Sequence, residues 1–469
     1  MKLLIIDPLG NALDLAMRAQ NDGHQVKHFI RQTPKTEHIG RGLVQLVDDF
    51  KPWLRWADIV FNSDCTKYLR ELGSVARDGI RVVGPTEFCA GWELDRSAGM
   101  QMFRDHGIAV LPAVEFSNYD RAIEFVKKRD CRLVSKPCGI VEDKSLSYVA
   151  QSPADLIYML TRWKRMGKHQ RFVLQDYVDG TEFAVGGWFG PHGWNEGWCE
   201  NFEFKKLMND DLGVATGEQG TVLRYVRKSK LARKVLEPLT DTLMLCGYIG
   251  YIDVNCIVED NGKVWPLEFT MRPGWPTFNI QLALQEGDCC EWLLDLADGR
   301  DTMRPKMDWT AVGVVMSIPD YPYSHLTRKE VVGVPIYGMT PLLWRHVHPC
   351  ELQMADAPDE QTFKDTPMGC TAGDYLLVMT ATGEFVRETA DKVYSRLQRL
   401  TVPNSPQWRT DIGARLAKQL PKLQANGFAA GWSFSRENPT LKPSPASQSK
   451  KDLKSQPAIG IASPITLPA

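Results

Sequence analysis

The sequence predicts a multidomain protein of mixed α/β and α+β class, on three observations. Residues 1–85 alternate short apolar runs with an amphipathic helical segment, residues 86–304 mix helical segments with strands and a hairpin, and residues 305–430 carry short strands followed by a helix. Strand–helix–strand alternation is the pattern of a parallel sheet with crossover helices, so the first segment reads as a Rossmann-like domain. The 469 residues leave room for roughly two to four domains.

Each element has its own signal. "KLLIID" is a buried strand, "ALDLAMRAQNDGH" an amphipathic helix ending near Gly23, and "QVKHFI", "ADIVF" and "IRVVGP" are further strands. No G-x-G-x-x-G fingerprint is present, so no dinucleotide is inferred. Next come helices in "SAGMQMFRDHG", "YDRAIEFVKKRD" and "PADLIYMLTRWKRMG", and strands in "CRLVSKP", "FVLQDYV" and "TEFAVGGWFG". "GYIDVNCIVEDNGKVWPLEF" is a hairpin, because Asn261-Gly262 sits between β-rich flanks. "AVGVVMSIP" and "YLLVMTATG" are strands and "TADKVYSRLQRL" a helix. Residues 431–469 are rich in Ser, Pro and Lys and read as a disordered tail.

Composition removes several classes. The chain is 43% apolar and 24% charged, as a soluble globular protein is. A net charge of −1 gives no basic field for nucleic acid. No apolar run approaches a membrane span, and "MKLLIIDPLG" is too short for a signal-peptide core. The 11 cysteines, an odd number without metal-ligand spacing, fit free thiols in a reducing cytoplasm. Neither the nine histidines nor any Ser-His-Asp or Cys-His spacing marks a nucleophile or metal site.

Four stretches carry chemistry. In "LVSKPCGIVEDKSLSYVA", Lys136 and Lys144 flank Gly139 between strand-like runs. This is either a solvated hairpin or a flap whose ammonium groups hold nucleotide phosphates. It is not a phosphate loop, lacking the second glycine and the helix. In "FVLQDYVDGTEFAV", Gln175-Asp176-Tyr177-Val178 is either an ordinary strand end or a connector offering backbone groups to an adenine edge, with Glu182 placed for ribose hydroxyls. Asp253 and Asn255 share a strand face, and Glu268 lies on the returning strand. Oxygen ligands on neighbouring strands amid apolar residues suit Mg²⁺ or Mn²⁺ shared with phosphates. "EFKKLMNDDLGVATGEQG", residues 203–220, reads as a long polar loop with Lys205 and Lys206, of the kind that grips substrates.

The order of these stretches resembles the ATP-grasp carboxylate–amine ligases, and within them the phosphoribosylamine–glycine ligase family of purine synthesis. "VVGPTEFCAGWELDRSAGMQMF" is similar to the family's G-P-T-x-x-A-A-x-L-E-x-S-K-x-F, with Glu93 retained and Arg96 at the lysine. "KPCGIVEDKS" is similar to K-A-D-G-L-A-x-G-K-G, "LQDYVDGTEF" to E-E-F-L-x-G-E-E, "ATGEQG" to N-T-G-G-M-G, "PLEFTMRPGWP" to I-E-F-N-x-R-F-G-D-P and "QWRTDIG" to Y-Y-R-R-D-I-G. The resemblance covers residues 1 to about 430. It implies an N-terminal Rossmann-like domain (1–85), an ATP-grasp domain (86–304) and a C-terminal β-rich domain (305–430). It further implies ATP and Mg²⁺ (or Mn²⁺) as cofactors, glycine and phosphoribosylamine or a related amine as substrates, and a cytoplasmic monomer or homodimer. Lys136 and Arg272 are then catalytic. Arg96, Lys136, Lys144, Gln175, Asp176, Tyr177, Val178 and Glu182 bind ATP; Lys205, Lys206, Thr216, Gly217 and Arg272 bind substrate; and Glu268, with Asp253, Asn255 and Thr270, holds metal. The sequence departs from the family at the first loop, where G-x-G-G-R-E-H-A has become Asp7-Pro-Leu-Gly10-Asn11-Ala12, and at Thr270, which stands for the metal-binding asparagine. The first-loop change points to an ATP-grasp ligase with a changed amine or carboxylate substrate, while Thr270, a weaker metal ligand, points mildly to a non-catalytic nucleotide-binding module.

Overall fold

The computed structural model describes residues 1–138, 147–168, 171–323, 329–355, 368–403 and 405–437. The α/β and α+β expectation is met by three sheets. The first is five-stranded and parallel: β1 (Lys2–Ile6), β2 (Gln25–Phe29), β3 (Leu46–Val47), β4 (Ile59–Asn62) and β5 (Val82–Val83), in the order β3-β2-β1-β4-β5. Leu3, Leu4, Ile5 and Ile6 are all fully buried, as a parallel strand covered on both faces requires. Helix α1 (Leu13–Asn21) buries Leu13, Leu15, Ala16 and Ala19, and α2 (Leu69–Arg77) follows β4. The strand order reverses between β1 and β4, where open α/β sheets place their ligand crevice.

Helices α3 (Glu87–Leu94) and α4 (Arg96–Asp105) lead to a four-stranded sheet, β6 (Ala113–Phe116), β7 (Leu133–Pro137), β8 (Tyr148–Val149) and β9 (Phe172–Asp176), ordered β6-β9-β7-β8. Helices α5 (Tyr119–Arg129) and α6 (Pro153–Arg165) cover it, burying Tyr119, Ala122, Leu156, Leu160 and Trp163 against Phe172 and Leu174. The third sheet has nine strands: β10 (Thr181–Gly190), β11 (Gly193–Trp194), β12 (Trp198–Lys206), β13 (Ala215–Val226), β14 (Gly250–Val258), β15 (Val264–Thr270), β18 (Thr310–Ser317), β19 (Val347–Pro349) and β22 (Tyr375–Gly383). Its path runs β15-β14-β10-β12-β13-β18-β22-β19. Two small antiparallel pairs, β16 (Gln285–Glu286) with β17 (Arg304–Pro305) and β20 (Leu352–Ala355) with β21 (Met368–Thr371), lie outside it. Because β13 pairs with β18, one sheet runs on across the boundary expected at 304/305.

Two expectations are corrected. Residues 203–220 are not a long loop: Glu203 to Lys206 end β12, Ala215 to Gly220 begin β13, and Lys206 pairs with Ala215. The polar letters that suggested a loop form the outward row of two half-buried strands, while Phe202 and Phe204 are fully buried on the other row. Residues 431–437, expected in the tail, are packed instead, and residues 438–469 lie outside the described residues. Trp432 is fully buried, its indole N–H donates to Glu200 Oε2 at 2.9 Å, and its ring meets Phe202 edge-on at 5.1 Å. Val386 and Arg387 donate backbone bonds to the carbonyls of Ser433 and Phe434.

A buried polar tie joins the first helix to the last strands. Asp14 Oδ2 lies 2.7 Å from His348 Nδ1, His348 Nε2 lies 2.9 Å from Thr380 Oγ1, and Arg18 Nε donates to Asp14 Oδ1 at 3.0 Å. Burial lowers the His348 pKa despite Asp14 beside it. The Asp14 carboxyl sits below its ordinary value because Arg18 and His348 outweigh the opposing effect of burial.

Trp432→Ala is expected to destabilise the protein by roughly 3–5 kcal/mol, by opening a cavity and stranding Glu200. A urea unfolding midpoint unchanged by that substitution would show that residues 431–437 are peripheral after all.

Candidate active site

The site grows from strand alternation on the large sheet. On β12 the row opposite Phe202 and Phe204 carries Asn201, Glu203 and Lys205. On β14 the row is Asp253 and Asn255, and on β15 it is Glu268 and Thr270; Asp253 pairs with Thr270 and Asn255 with Glu268. Ala184 and Gly186 of β10 lie beside Asn255 and Asp253. A Cβ at Gly186 would collide with the Tyr251 hydroxyl and come within 2.7 Å of Asp253 Oδ2, so only glycine leaves room for that carboxylate. The β14–β15 turn has Gly262 at φ +81°, as the Asn-Gly signal predicts.

Strand β15 is an edge strand, and α4 covers it. Phe269 stacks on Phe103 of α4 at 4.1 Å, and Asp95 caps the helix by accepting from the Ser97 N–H at 2.9 Å. The Arg96 guanidinium then reaches over the edge, donating to the Leu267 carbonyl at 2.7 Å and to Glu268 Oε2 at 2.9 Å. Lys205 Nζ lies 2.7 Å from Glu182, 3.1 Å from Glu203 and 3.6 Å from Glu268. Burial works against its charge, but the three carboxylates prevail and its pKa is raised well above the ordinary lysine value.

Lys136, on β7 of the smaller sheet, feels the same cluster from the other side. Burial and the positive charges of Arg96 and Lys205 outweigh Glu268 and Glu182 and bring its pKa down to about 7. Arg96, Glu182, Lys205 and Glu268 are thus gathered at the edge of the large sheet, with Lys136 of the smaller sheet within their electrostatic reach. Lys144 and Gly139 lie outside the described residues.

The remaining expected residues fall around this cluster with different partners. Gln175 is buried on β9. Asp176 is held by Arg129 Nη2 at 2.7 Å, and its amide N–H donates to the Pro112 carbonyl. The Tyr177 ring lies under the Arg132 guanidinium at 3.5 Å, its hydroxyl donates to Asp179, and its N–H donates to the Arg132 carbonyl. Two connector amides are therefore used within the protein, and Val178 follows them at the turn into β10. Thr216 Oγ1 donates to the Lys205 carbonyl at 2.8 Å, the Lys206 carbonyl accepts from Arg409, and Gly217 is exposed. Arg272 turns away from Glu268 to pair with Glu93 at 3.1 Å, whose other oxygen accepts from the Met271 N–H. Burial opposes the Arg272 charge, but Glu93 and the Cys65–Asp64 loop after β4 raise its pKa.

Sequence reasoning missed Asn201, Glu203 and Glu218. Asn255 Nδ2 donates to Glu203 at 3.0 Å and Asn201 Nδ2 to Asp253 Oδ2 at 2.8 Å; Asp253 Oδ2 also accepts from the Tyr251 hydroxyl at 3.1 Å. Burial and the nearby Glu203 raise Asp253 to about 7, and the same two causes raise Glu218 well above its ordinary value. The alternation in "WCENFEFKK" was the available signal for the β12 residues, had the stretch been read as a strand. The donor set fits a hard cation: Glu268 is a carboxylate at the cleft, Thr270 adds a hydroxyl, and Asp253 Oδ1 and Asn255 Oδ1 are buried oxygens without a hydrogen-bond partner.

The departures in the first loop have a structural cause. Asp7 is fully buried; Oδ1 accepts from the Asn11 N–H at 3.0 Å and the Ser63 hydroxyl at 2.7 Å, and Oδ2 accepts from the Ala12 N–H at 2.7 Å and lies 3.1 Å from His28 Nε2. The amides at the start of α1, a ready anion site in such folds, are filled by the chain's own carboxylate.

No family model matches the chain. Among curated proteins it is similar to the phosphoribosylamine–glycine ligase of Xylella fastidiosa, at 25% identity over 353 residues, 72% of this chain and 76% of that protein. Among solved structures, the phosphoribosylamine–glycine ligase of Thermotoga maritima matches with a TM-score of 0.67 at 18% identity, over 88% of this chain and 100% of that one. The biotin carboxylase domain of Hydrogenobacter thermophilus 2-oxoglutarate carboxylase, solved with MgADP, ADP and bicarbonate, matches with a TM-score of 0.55 at 11% identity, over 86% and 90%. The fold is the ATP-grasp fold that the sequence resemblance implied. Among the described residues no helix is long and apolar enough to cross a membrane.

If Lys136 holds nucleotide phosphates, affinity for them should fall as pH rises. The folded pKa of Lys136 is below its unfolded value, so the free protein loses this ammonium above about pH 7, and binding phosphates must then take up a proton. ADP affinity is expected to drop by up to about tenfold per pH unit above that value, and less in Lys136→Met. Identical pH profiles for the two proteins, measured by calorimetry, would remove Lys136 from phosphate binding.

Proposed function

We propose that the chain is an ATP-dependent carboxylate–amine ligase of the phosphoribosylamine–glycine ligase kind. The observation that carries this reading is the gathering of Arg96, Lys205 and Glu268 at the edge of the large sheet, with Lys136 within their electrostatic reach, in a fold shared with a protein solved with MgADP. Lys136, and Lys144 in the same stretch, hold ATP phosphates; Gln175 to Val178 and Glu182 hold the nucleoside. Glu268, with Thr270, Asp253 or Asn255, holds Mg²⁺ or Mn²⁺, which neutralises phosphate charge when bound.

The chemistry needs charge neutralisation more than an acid or base. A carboxylate oxygen of the acid substrate attacks the γ-phosphorus, the bond to ADP breaks, and an acyl phosphate forms. The amine nitrogen then attacks the acyl carbon, phosphate leaves with the electron pair of the broken C–O bond, and the nitrogen gives up its proton. Lys136 and Arg96 carry positive charge toward the transferring group, and Arg272, braced by Glu93, lies at the cleft edge beside the Asp64–Cys65 loop, where it orients substrate with Lys206, Thr216 and Gly217.

A second reading shares the chemistry and changes the acceptor. Asp7 fills the α1 amides that would otherwise receive an anion, which favours an amine that carries no phosphate at that loop. ADP release with glycine, with and without phosphoribosylamine generated in situ, separates the two readings. Dependence on phosphoribosylamine supports the first, and activity with an unphosphorylated amine alone supports the second.

Glu268→Gln is expected to abolish ADP release while leaving the melting temperature within a few degrees, because the amide keeps the shape and loses the charge. Normal turnover by this variant at low Mg²⁺ would end the metal assignment. Thr270→Asn is expected to match or exceed the parent activity at a lower Mg²⁺ requirement.

A further inference from the structure

A second cluster of ligating side chains, none of which the ligase reading uses, forms where the turn after α1 meets the N-terminus of the helix Cys289–Ala297. It draws Asp22 and His24 from one segment and Asp288, Cys289 and Cys290 from another; His24 and Asp288 are 264 residues apart. The His24 imidazole, the Asp288 carboxylate and the Cys290 thiol have ligand atoms all within 4.8 Å of one another, and so have Asp22, Asp288 and Cys289. Asp288 is common to both triads, and the thiols of Cys289 and Cys290 are hydrogen-bonded to each other. Cys289 and Cys290 are buried, His24 and Asp288 half-buried and Asp22 exposed, so the cluster runs from the surface inward.

Asp288 is oriented by one oxygen and offers the other. Its Oδ1 caps the helix, accepting from the Cys290 N–H at 2.8 Å and the Glu291 N–H at 3.2 Å, while Oδ2 is turned to His24 Nε2 at 2.6 Å. Outer-shell bonds of this sort fix a metal ligand in place. His24 Nδ1 lies 3.1 Å from the Met1 amine, which in its neutral form accepts the Nδ1–H that a metal on Nε2 requires. A helix cap with a histidine–aspartate bond accounts for His24 and Asp288 alone. It leaves unexplained why a second carboxylate and two thiols join them. Partial burial and the Asp288 carboxylate raise the Asp22 pKa, as crowding of like charges does. Arg18, the nearby guanidinium, is already bonded to Asp14. A cation relieves that crowding, and thiol and imidazole ligands among the carboxylates choose its kind: softer than the hard ion that Glu268 suits.

We propose that His24, Asp288 and Cys290, with Asp22 or Cys289 in the fourth place, bind a thiophilic divalent cation, Zn²⁺ foremost, which fastens the turn between α1 and β2 to the helix Cys289–Ala297. The cation takes the place of the proton between His24 Nε2 and Asp288 Oδ2, and the Cys290 thiol releases its proton to solvent to become a thiolate ligand. A tetrahedral shell with bonds of about 2.0–2.3 Å spaces its ligand atoms about 3.5 Å apart, so atoms already within 4.8 Å need only a side-chain adjustment. The site is invisible in the sequence because its two halves, Asp-Gly-His and Asp-Cys-Cys, carry no ligand spacing of their own and meet only in the fold.

The test is a Co²⁺ titration of the full chain, stripped of metal with EDTA and then held in excess Mg²⁺ so that hard oxygen sites are filled. A thiolate-to-cobalt charge-transfer band in the near ultraviolet is expected, saturating at one Co²⁺ per chain and abolished by added Zn²⁺. Zn²⁺ is also expected to raise the melting temperature of the parent protein. Cys290→Ser is expected to remove the band, and His24→Gln to weaken Co²⁺ binding about tenfold or more; both are expected to cancel the Zn²⁺-induced rise in melting temperature. The metal-free melting temperature of each variant is followed alongside, and if Cys290→Ser alone melts early, His24→Gln, nearer the surface, decides. No band in the parent, a band of unchanged affinity in both variants, or an equal Zn²⁺-induced rise in parent and His24→Gln each overturns the proposal. So does loss of the band on raising Mg²⁺, which would make the site a hard ion's. ADP release has no part in these readouts, so the outcome is separate from that of the ligase reading.

Discussion

One ammonium group holds the polar face of the large sheet together. Glu182, Glu203 and Glu268 come from three different strands, and their carboxylates converge on Lys205. Without it the three would repel each other across a partly buried face. With it, Glu268 is free to lean on Arg96 at the open edge, Glu203 to hold Asn255, and Asn255 to stay in register with Glu268. The position of Lys205 follows from the alternation of β12, whose other row, Phe202 and Phe204, is locked in the core. Core packing on one side of a strand thus fixes charge geometry on the other.

Legibility from sequence followed locality. Strong local patterns gave β1, α1, β7, β10, the β14–β15 hairpin and its Asn-Gly turn. The Asp253–Asn255 and Glu268 row followed from period-two alternation. What failed was non-local. The stretch 203–220 looked like a loop because its polar letters were counted without its phenylalanines, and its strand character depends on pairing with residues as distant as β18. Trp432 was hidden by the composition of the residues after it. Glu218 carries no local signal at all: its meaning comes from Asp253 and Glu203, which other strands bring beside it.

The first loop shows the same limit from the other direction. The changed letters were visible, but not what replaced their function. Asp7 bonds the α1 amides, Ser63 from the loop after β4, and His28 from β2. A position used in related folds to receive an anion has become a knot tying three elements. This makes the N-terminal sheet self-sufficient at its switch point.

The buried tie from Asp14 to His348 and Thr380 bears on how the chain is made. The histidine is 334 residues downstream of its carboxylate. At about 5–20 residues per second, the first strand and helix leave the ribosome roughly a quarter of a minute to a minute before that partner exists. During that interval the carboxylate's companion is Arg18, one helical turn away, and the apolar side of α1 that will later be covered is open to solvent. The N-terminal unit is therefore made first but completed only once residues more than 300 positions downstream have been synthesised.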